Sequence, residues 1–269
     1  MSGGTFPFRG YIMRKYVLLL ICFLFTVPAA ARAADTRILV APFYGESADE
    51  VTSFMKSLSD KTPAQTSFLD PAVKAPELPA DGINSTELVN ELSKIGNSQN
   101  AEYVLTGIVS RAEDVFSVNA ILVHTTDSKV TYSTKLFSYK SDLKYNPAPD
   151  LWGRVQFALD GKSFPVNNLK VGQGASANEI AVEWEAVPDC AEYLVYRGKK
   201  MDGAFELAAK TKRPALYDTK SEIGVKIFYY VQPVMNGIRC DQSAPVAGYR
   251  KPAIPKGEDL RKMLSTFNK

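Results

Sequence analysis

Residues 180–187, Ile180-Ala-Val-Glu-Trp184-Glu-Ala-Val187, alternate along an extended chain. Ile180, Val182 and Trp184 fall on one face; Ala181, Glu183 and Glu185 fall on the other. An apolar row carrying a tryptophan, opposite a row of carboxylates, is a strand with one buried and one solvated face. The same face logic turns Tyr193 and Val195 inward in the run Glu192 to Tyr196, and Tyr229 and Val231 inward in Val225 to Val234. Phe205 to Ala209, Ala215 to Asp218 and Ile238 to Cys240 onwards complete a series of short strands with turn residues between them, and Asn236-Gly237 is a strong hairpin signal. This spacing predicts an all-β sandwich over residues 165–252.

The runs Ile180 to Val187, Glu192-Tyr-Leu-Val-Tyr-Arg197 and Phe228-Tyr-Tyr-Val231, with Ser243 and Gly248-Tyr249 near the end, resemble the fibronectin type III family across almost its whole length. The resemblance implies a module for binding or spacing. Ile227 stands where many members carry a tyrosine, so the usual corner hydrogen bond is expected to be absent or made by Tyr217. The Arg-Gly-Asp tripeptide does not occur. In this topology the loop Pro188-Asp189-Cys190 and the turn Met235-Asn236-Gly237 share one end of the sandwich and form a candidate contact patch. Cys190 and Cys240 are a candidate disulfide on the same ground; the alternative is two separate thiols, because the strands they flank are one strand apart.

Upstream of Gly161 the texture differs. Arg37 to Phe43 reads as a short strand, Glu50 to Leu58 as a helix and Ser67 to Leu69 as a brief strand. Lys61 to Asp81 is rich in proline and reads as an irregular connection. Thr86 to Ile95 is expected to be a helix capped by Ser85. Three strands follow, Tyr103 to Arg111, Val115 to His124 and Lys129 to Tyr139, and Leu151 to Leu159 closes the unit as a helix. The order β-α-β-α-β-β-β-α predicts a two-layer α+β domain with a mixed sheet over residues 34–162. Ile38-Leu39-Val40-Ala41-Pro42-Phe43 and Ala101-Glu102-Tyr103-Val104-Leu105-Thr106-Gly107 resemble the amino-terminal domain of the translocation protein TolB. They are also similar to the core of curli-secretion proteins and of outer-membrane activators of penicillin-binding proteins.

At the N-terminus, Arg14-Lys15 precedes an apolar run from Tyr16 to Val27, then Pro28 and small residues around Ala31-Arg32-Ala33. This predicts a signal peptide over residues 1–33, with Met13 a candidate start of translation beside Met1. The run is shorter than the roughly 20 residues a spanning helix needs, so a membrane anchor is the weaker reading. Without this segment the formal charge of +3 loses Arg9, Arg14, Lys15 and Arg32, giving 3 − 4 = −1. A near-neutral chain argues against nucleic-acid binding, which needs clustered cations. The sequence has no second apolar run able to cross a bilayer. Residues 253–269 place Leu260, Met263, Leu264 and Phe267 on one stripe, which either packs on its own protein or docks on a partner or membrane.

No constellation for chemistry stands out. The one histidine, His124, sits beside a turn, and neither a metal set nor a serine triad forms around it in sequence. Gly172-x-Gly174 lacks the third glycine and the helix of a phosphate loop. Glu183 and Glu185 would stand about 7 Å apart on an exposed face, with no wall to shift either carboxyl. No catalytic, cofactor-binding or metal residue is therefore expected. The sequence reads as a non-catalytic adaptor exported to the periplasm or outer-membrane periphery of a bacterium, binding envelope proteins. A glycan-binding accessory module is the alternative, and an enzyme with its site in the first domain is the least favoured.

Overall fold

The computed structural model describes residues 36–63, 65–80, 82–139 and 145–252. The expected signal peptide and the stripe Leu260, Met263, Leu264 and Phe267 lie outside the described residues. The first domain is built on strands β1 (Ile38–Val40), β2 (Tyr44–Gly45), β3 (Thr66–Phe68), β4 (Tyr103–Ala112), β5 (Val115–His124) and β6 (Lys129–Tyr139). They form one mixed sheet in the order β3-β1-β4-β5-β6, with β2 beside β4; β1 is parallel to both neighbours, and β4, β5 and β6 are an antiparallel meander.

Three helices cover this sheet: α1 (Ala48–Ser59), α2 (Thr86–Ser98) and α3 (Ala148–Leu159). Ser85 caps α2 as expected, its hydroxyl accepting from the Leu88 amide at 3.1 Å. The α+β class with a mixed sheet is as the sequence predicts, but the helices are divided between the two faces. Ile38, Val40, Leu105, Val118 and Leu122 pack with Phe54 and Leu58 of α1 and Leu151 and Val155 of α3. Leu39, Ala41, Val104, Ile121 and Val123 point the other way and pack with Leu88, Val89 and Leu92 of α2. The sheet is thus a middle layer, because β1 and the stretches Val104-Leu105 of β4 and Ala120 to Val123 of β5 are apolar at adjacent positions rather than alternating with polar ones. The proline-rich connection is irregular but anchored: Leu69 and Ile83 join the α2 core, and the Tyr44 hydroxyl donates to the Pro76 carbonyl at 2.9 Å.

The second domain is a sandwich. One sheet has the order β11 (Ala215–Asp218), β8 (Ile180–Glu183), β7 (Lys170–Val171). The other has β10 (Glu206–Thr211), β9 (Glu192–Gly198), β12 (Ile227–Met235), β13 (Ile238–Arg239), with β14 (Val246–Gly248) also on β12. Trp184, Tyr193, Val195, Tyr229 and Val231 fill the space between the sheets with Ile180 and Val182. These are the inward faces read from alternation. The corner bond differs from the expectation: the Tyr229 hydroxyl donates to Asp218 Oδ2 at 2.8 Å, whereas Tyr217 is exposed with its hydroxyl 3.5 Å from Glu183. Burial alone would raise the Asp218 carboxyl, but hydrogen bonds from Tyr229 and Arg197 outweigh it and hold it below the ordinary aspartate value.

Cys190 and Cys240 are free thiols, so the candidate disulfide is absent from this structure. Cys190 precedes β9 and Cys240 follows β13, with β12 lying between those strands. Two strand spacings amount to about 9.6 Å, beyond the roughly 7 Å window for bridged α-carbons. Cys240 is buried, and burial pushes its thiol up to about 11. A maleimide added to the folded protein is therefore expected to label the half-buried Cys190 and spare Cys240, with identical electrophoretic mobility with and without reductant. Protection of both cysteines until reductant is added would mean that they are bridged.

Candidate functional site: the junction between the domains

Alternation leaves one face of β9 and β12 unaccounted for. Opposite the inward Tyr193, Val195, Tyr229 and Val231 stand Leu194, Tyr196 and Tyr230, equally buried. What covers them is the first domain: Tyr139, the last residue of β6, packs among Leu194, Tyr196, Phe205 and Tyr230. Tyr196 and Tyr230 stack at 4.7 Å between ring centroids; Phe205 meets Tyr230 edge-on at 4.9 Å, and Tyr139 lies 6.0 Å from Tyr196. These are favourable aromatic separations, and the rings seal one side of the junction.

The other side is polar and is made by α3. Asp150 and Arg154 are four residues apart on this helix, hence on one face. Asp150 Oδ1 accepts from the Arg239 amide at 3.0 Å. Arg154 donates from Nε to the Arg239 carbonyl at 2.6 Å and from Nη2 to the Cys240 carbonyl at 2.7 Å. Two side chains of a helix thereby meet the outward backbone groups of β13 as a neighbouring strand would. Between them, Gly153 allows contact: a Cβ built there would lie 2.6 Å from two carbons of Ile238. The remaining amino group of Arg154 bonds Thr134 Oγ1 at 2.7 Å and Asp241 Oδ1 at 2.8 Å, while Tyr132 and Thr134 donate to Asp241 at 3.0 and 2.6 Å. Arg154 is only 2% exposed, so its charge is tolerated because every arm of the guanidinium is hydrogen-bonded.

A third layer of contacts surrounds this pair. The Tyr145 hydroxyl donates to Asp150 Oδ2 at 2.5 Å, and the Arg239 guanidinium lies 3.9 Å from the centroid of the Tyr145 ring while also donating to the Tyr196 hydroxyl at 3.1 Å. Burial, and then the adjoining Asp150, push the Tyr145 phenol far above its ordinary value, so it remains a donor. The arrangement can hold two domains in one orientation. It offers no nucleophile poised beside a base.

The residues singled out in the sequence are scattered around this junction rather than gathered in it. Asn236 and Gly237, at the hairpin tip, are exposed, but the next residue, Ile238, is pressed against Gly153. That turn is therefore seated beside the first domain. His124 donates through Nδ1 to Asp127 at 2.8 Å, and this bond holds the Asp127 carboxyl below its ordinary range. Glu185 turns aside to accept from Asn168, while Glu183 faces Tyr217. Among the described residues no group of His, Cys, Asp and Glu could hold a metal ion, and no helix is long and apolar enough to cross a membrane. A cleft of about 710 Å³ lies beside α1, lined by Asp49, Glu50, Arg111, Glu113 and Tyr145; within it Arg111 is paired with Glu50.

Comparison with known proteins bears on each domain separately. The family model described as FlgO protein matches residues 83–143, which carry α2 and the β4–β6 meander. It covers the stretch Ala101 to Gly107 on which the TolB resemblance partly rests, and nothing extends that resemblance beyond its short motifs. No curated protein matches significantly. Among solved structures, a Fn3-like protein from Clostridium thermocellum is 25% identical, over 35% of this chain and 99% of its own, with a TM-score of 0.31. The sixth fibronectin type III domain of human fibronectin type III domain containing protein 3 is 18% identical, over 34% and 89%, with a TM-score of 0.30. Both likenesses are too partial to carry an argument, and the sandwich assignment rests on its own strand order.

Proposed function

We propose that this protein is an exported, non-catalytic adaptor of the bacterial envelope that holds two binding surfaces at a fixed separation. The observation that carries the reading is the junction. Arg154 and Asp150 saturate the edge of β13, and Tyr139 plugs the aromatic face of the sandwich, so neither domain swings on a linker. Rigid spacing is useful where two partners must be kept in register, and inter-domain contacts of this kind exceed what a flexible tether needs. The FlgO match supports a bacterial flagellar or envelope setting, in line with the signal-like N-terminus. The TolB-like motifs point to the same compartment by analogy alone.

Partner contacts are assigned to side-chain surfaces rather than to strand addition. The β13 edge is capped by α3, β10 carries a register shift at Leu207 to Ala209, and β6 one opposite Leu122 and Val123. Such irregularities and caps are the usual protection of an edge against pairing. The glycan-binding alternative draws on one observation, the 55% exposure of Tyr217 on the outer sheet face beside Ala181.

Crosslinking intact cells that express the tagged protein, with and without residues 257–269, tests the reading. Recovery of a specific envelope protein that is lost with the tail supports the adaptor and places its latch there. Recovery of glycan alone, or of nothing, overturns it.

A further inference from the structure

We infer that the end of the sandwich formed by the β9–β10 and β11–β12 loops is a docking surface for an anionic phospholipid bilayer. The two loops are neighbours: Lys199 in the first is 3.5 Å from Glu222 in the second. They carry two of the most exposed large apolar side chains among the described residues, Met201 at 60% and Ile223 at 48%. A single exposed methionine or isoleucine is ordinary. Two on adjoining loops that also carry exposed lysines are not scattered.

The cations are Lys199, Lys200, Lys220, Lys226 and Lys251, all exposed, against Asp202, Glu222, which pairs with Lys199, and Glu206 and Asp114, which line the same cleft as Lys199 and Lys220. Arg197, deeper in the same region, adds little field because Glu206 and Asp218 hold it at 2.7 and 3.0 Å. Arg250 serves the scaffold instead, donating to the carbonyls of Ala177 and Ser221 and so pinning the β11–β12 loop. The loop is thus held in place while its lysines and Ile223 project.

The composition selects a lipid surface over a soluble polyanion. A phosphate-rich polymer in water needs only the lysines, whereas Met201 and Ile223 gain when they enter the boundary between headgroups and acyl chains. Lysines beside them match a negative headgroup layer. The chain also leaves from this end. The Lys251 backbone amide donates to the Ser176 carbonyl at 2.7 Å, and Pro252 lies against Gly224, the neighbour of Ile223. The inference is independent of which protein the adaptor binds.

The test is co-sedimentation of the chain from Ala34 to Lys269, which contains every described element, with vesicles of phosphatidylglycerol and phosphatidylcholine or of phosphatidylcholine alone. Binding is expected only to the anionic vesicles. The triple variant K199Q/K200Q/K220Q should lower the partition by about a hundredfold, at roughly fivefold per lysine. M201S/I223S should lower it by about tenfold with only a small change in the unfolding midpoint, since about half or more of each side chain is exposed. Equal sedimentation of the parent and both variants would overturn the proposal by moving the contact elsewhere on the chain. Full binding by M201S/I223S, competed by inorganic polyphosphate, would overturn it in favour of a polyanion site, and no binding to either vesicle would overturn it outright.

Discussion

Arg154→Ala is expected to cost about 2–4 kcal/mol and to split one unfolding transition into two. The side chain is buried at the junction and donates to two carbonyls of the sandwich, to Thr134 and to Asp241. Its loss strands the Arg239 carbonyl, leaves the Cys240 carbonyl with Gln232 as its donor, and deprives the half-exposed Asp241 carboxylate beside Tyr132 and Thr134 of its cation. Unmade hydrogen bonds in buried surroundings cost more than made ones contribute, so most of the effect comes from the groups left behind. For a folded body of this size the midpoint should fall by about 10 °C. Arg154→Lys retains the charge but cannot reach four acceptors with one planar fork, and should lie between the parent and the alanine variant. Calorimetry decides: a single transition at an unchanged midpoint for Arg154→Ala would mean that the polar side of the junction contributes nothing.

Tyr139→Ala attacks the opposite side, with an expected loss of about 3–5 kcal/mol. The ring is 5% exposed and packed against Tyr196 and Phe205 at 6.0 and 6.1 Å, with its hydroxyl accepting from Tyr230 at 3.3 Å. Truncation opens a cavity beside Tyr196 and Phe205 and removes the acceptor of the Tyr230 hydroxyl. Combined with Arg154→Ala, the cost should be less than additive, because a junction already parted by one change has little left to lose from the other. Full additivity in a double-mutant cycle would mean that the aromatic and polar sides act independently, and that the domains remain docked on either alone.

Much of this architecture is legible in the chain before any coordinates. The strict alternation of Ile180 to Glu185 assigns the sandwich core, and Ser85 marks the start of α2. The junction is harder to see because its signal is a violation of alternation. Tyr193-Leu-Val-Tyr196 and Phe228-Tyr-Tyr-Val231 are apolar without a break, which is the pattern of strands buried on both faces, yet only the inward halves draw attention when a lone sandwich is assumed. The same holds for β1, whose continuous Ile38-Leu-Val40 announces helices on both sides of the sheet. In α3 the clues are Gly153 in mid-helix and a carboxylate and guanidinium four apart. Each is ordinary on a surface helix, and only the proximity of Ile238 and the carbonyls of β13 gives them meaning. The free cysteines follow from topology: spacing in sequence brings Cys190 and Cys240 to the same end, and an intervening strand keeps them apart.

The capped edge of β13 bears on how this protein can be taken apart. A β-sandwich joined to a neighbour in one chain is ordinarily treated as a separable unit, cut at the linker. Here a cut near Lys162 would carry Leu194, Tyr196 and Tyr230 into water and release the Arg239 amide and two carbonyls from their helical partners. The excised sandwich would have an apolar flank and an unfilled strand edge side by side, the combination that invites self-assembly. The unit that can be inherited, fused or transplanted is therefore the pair.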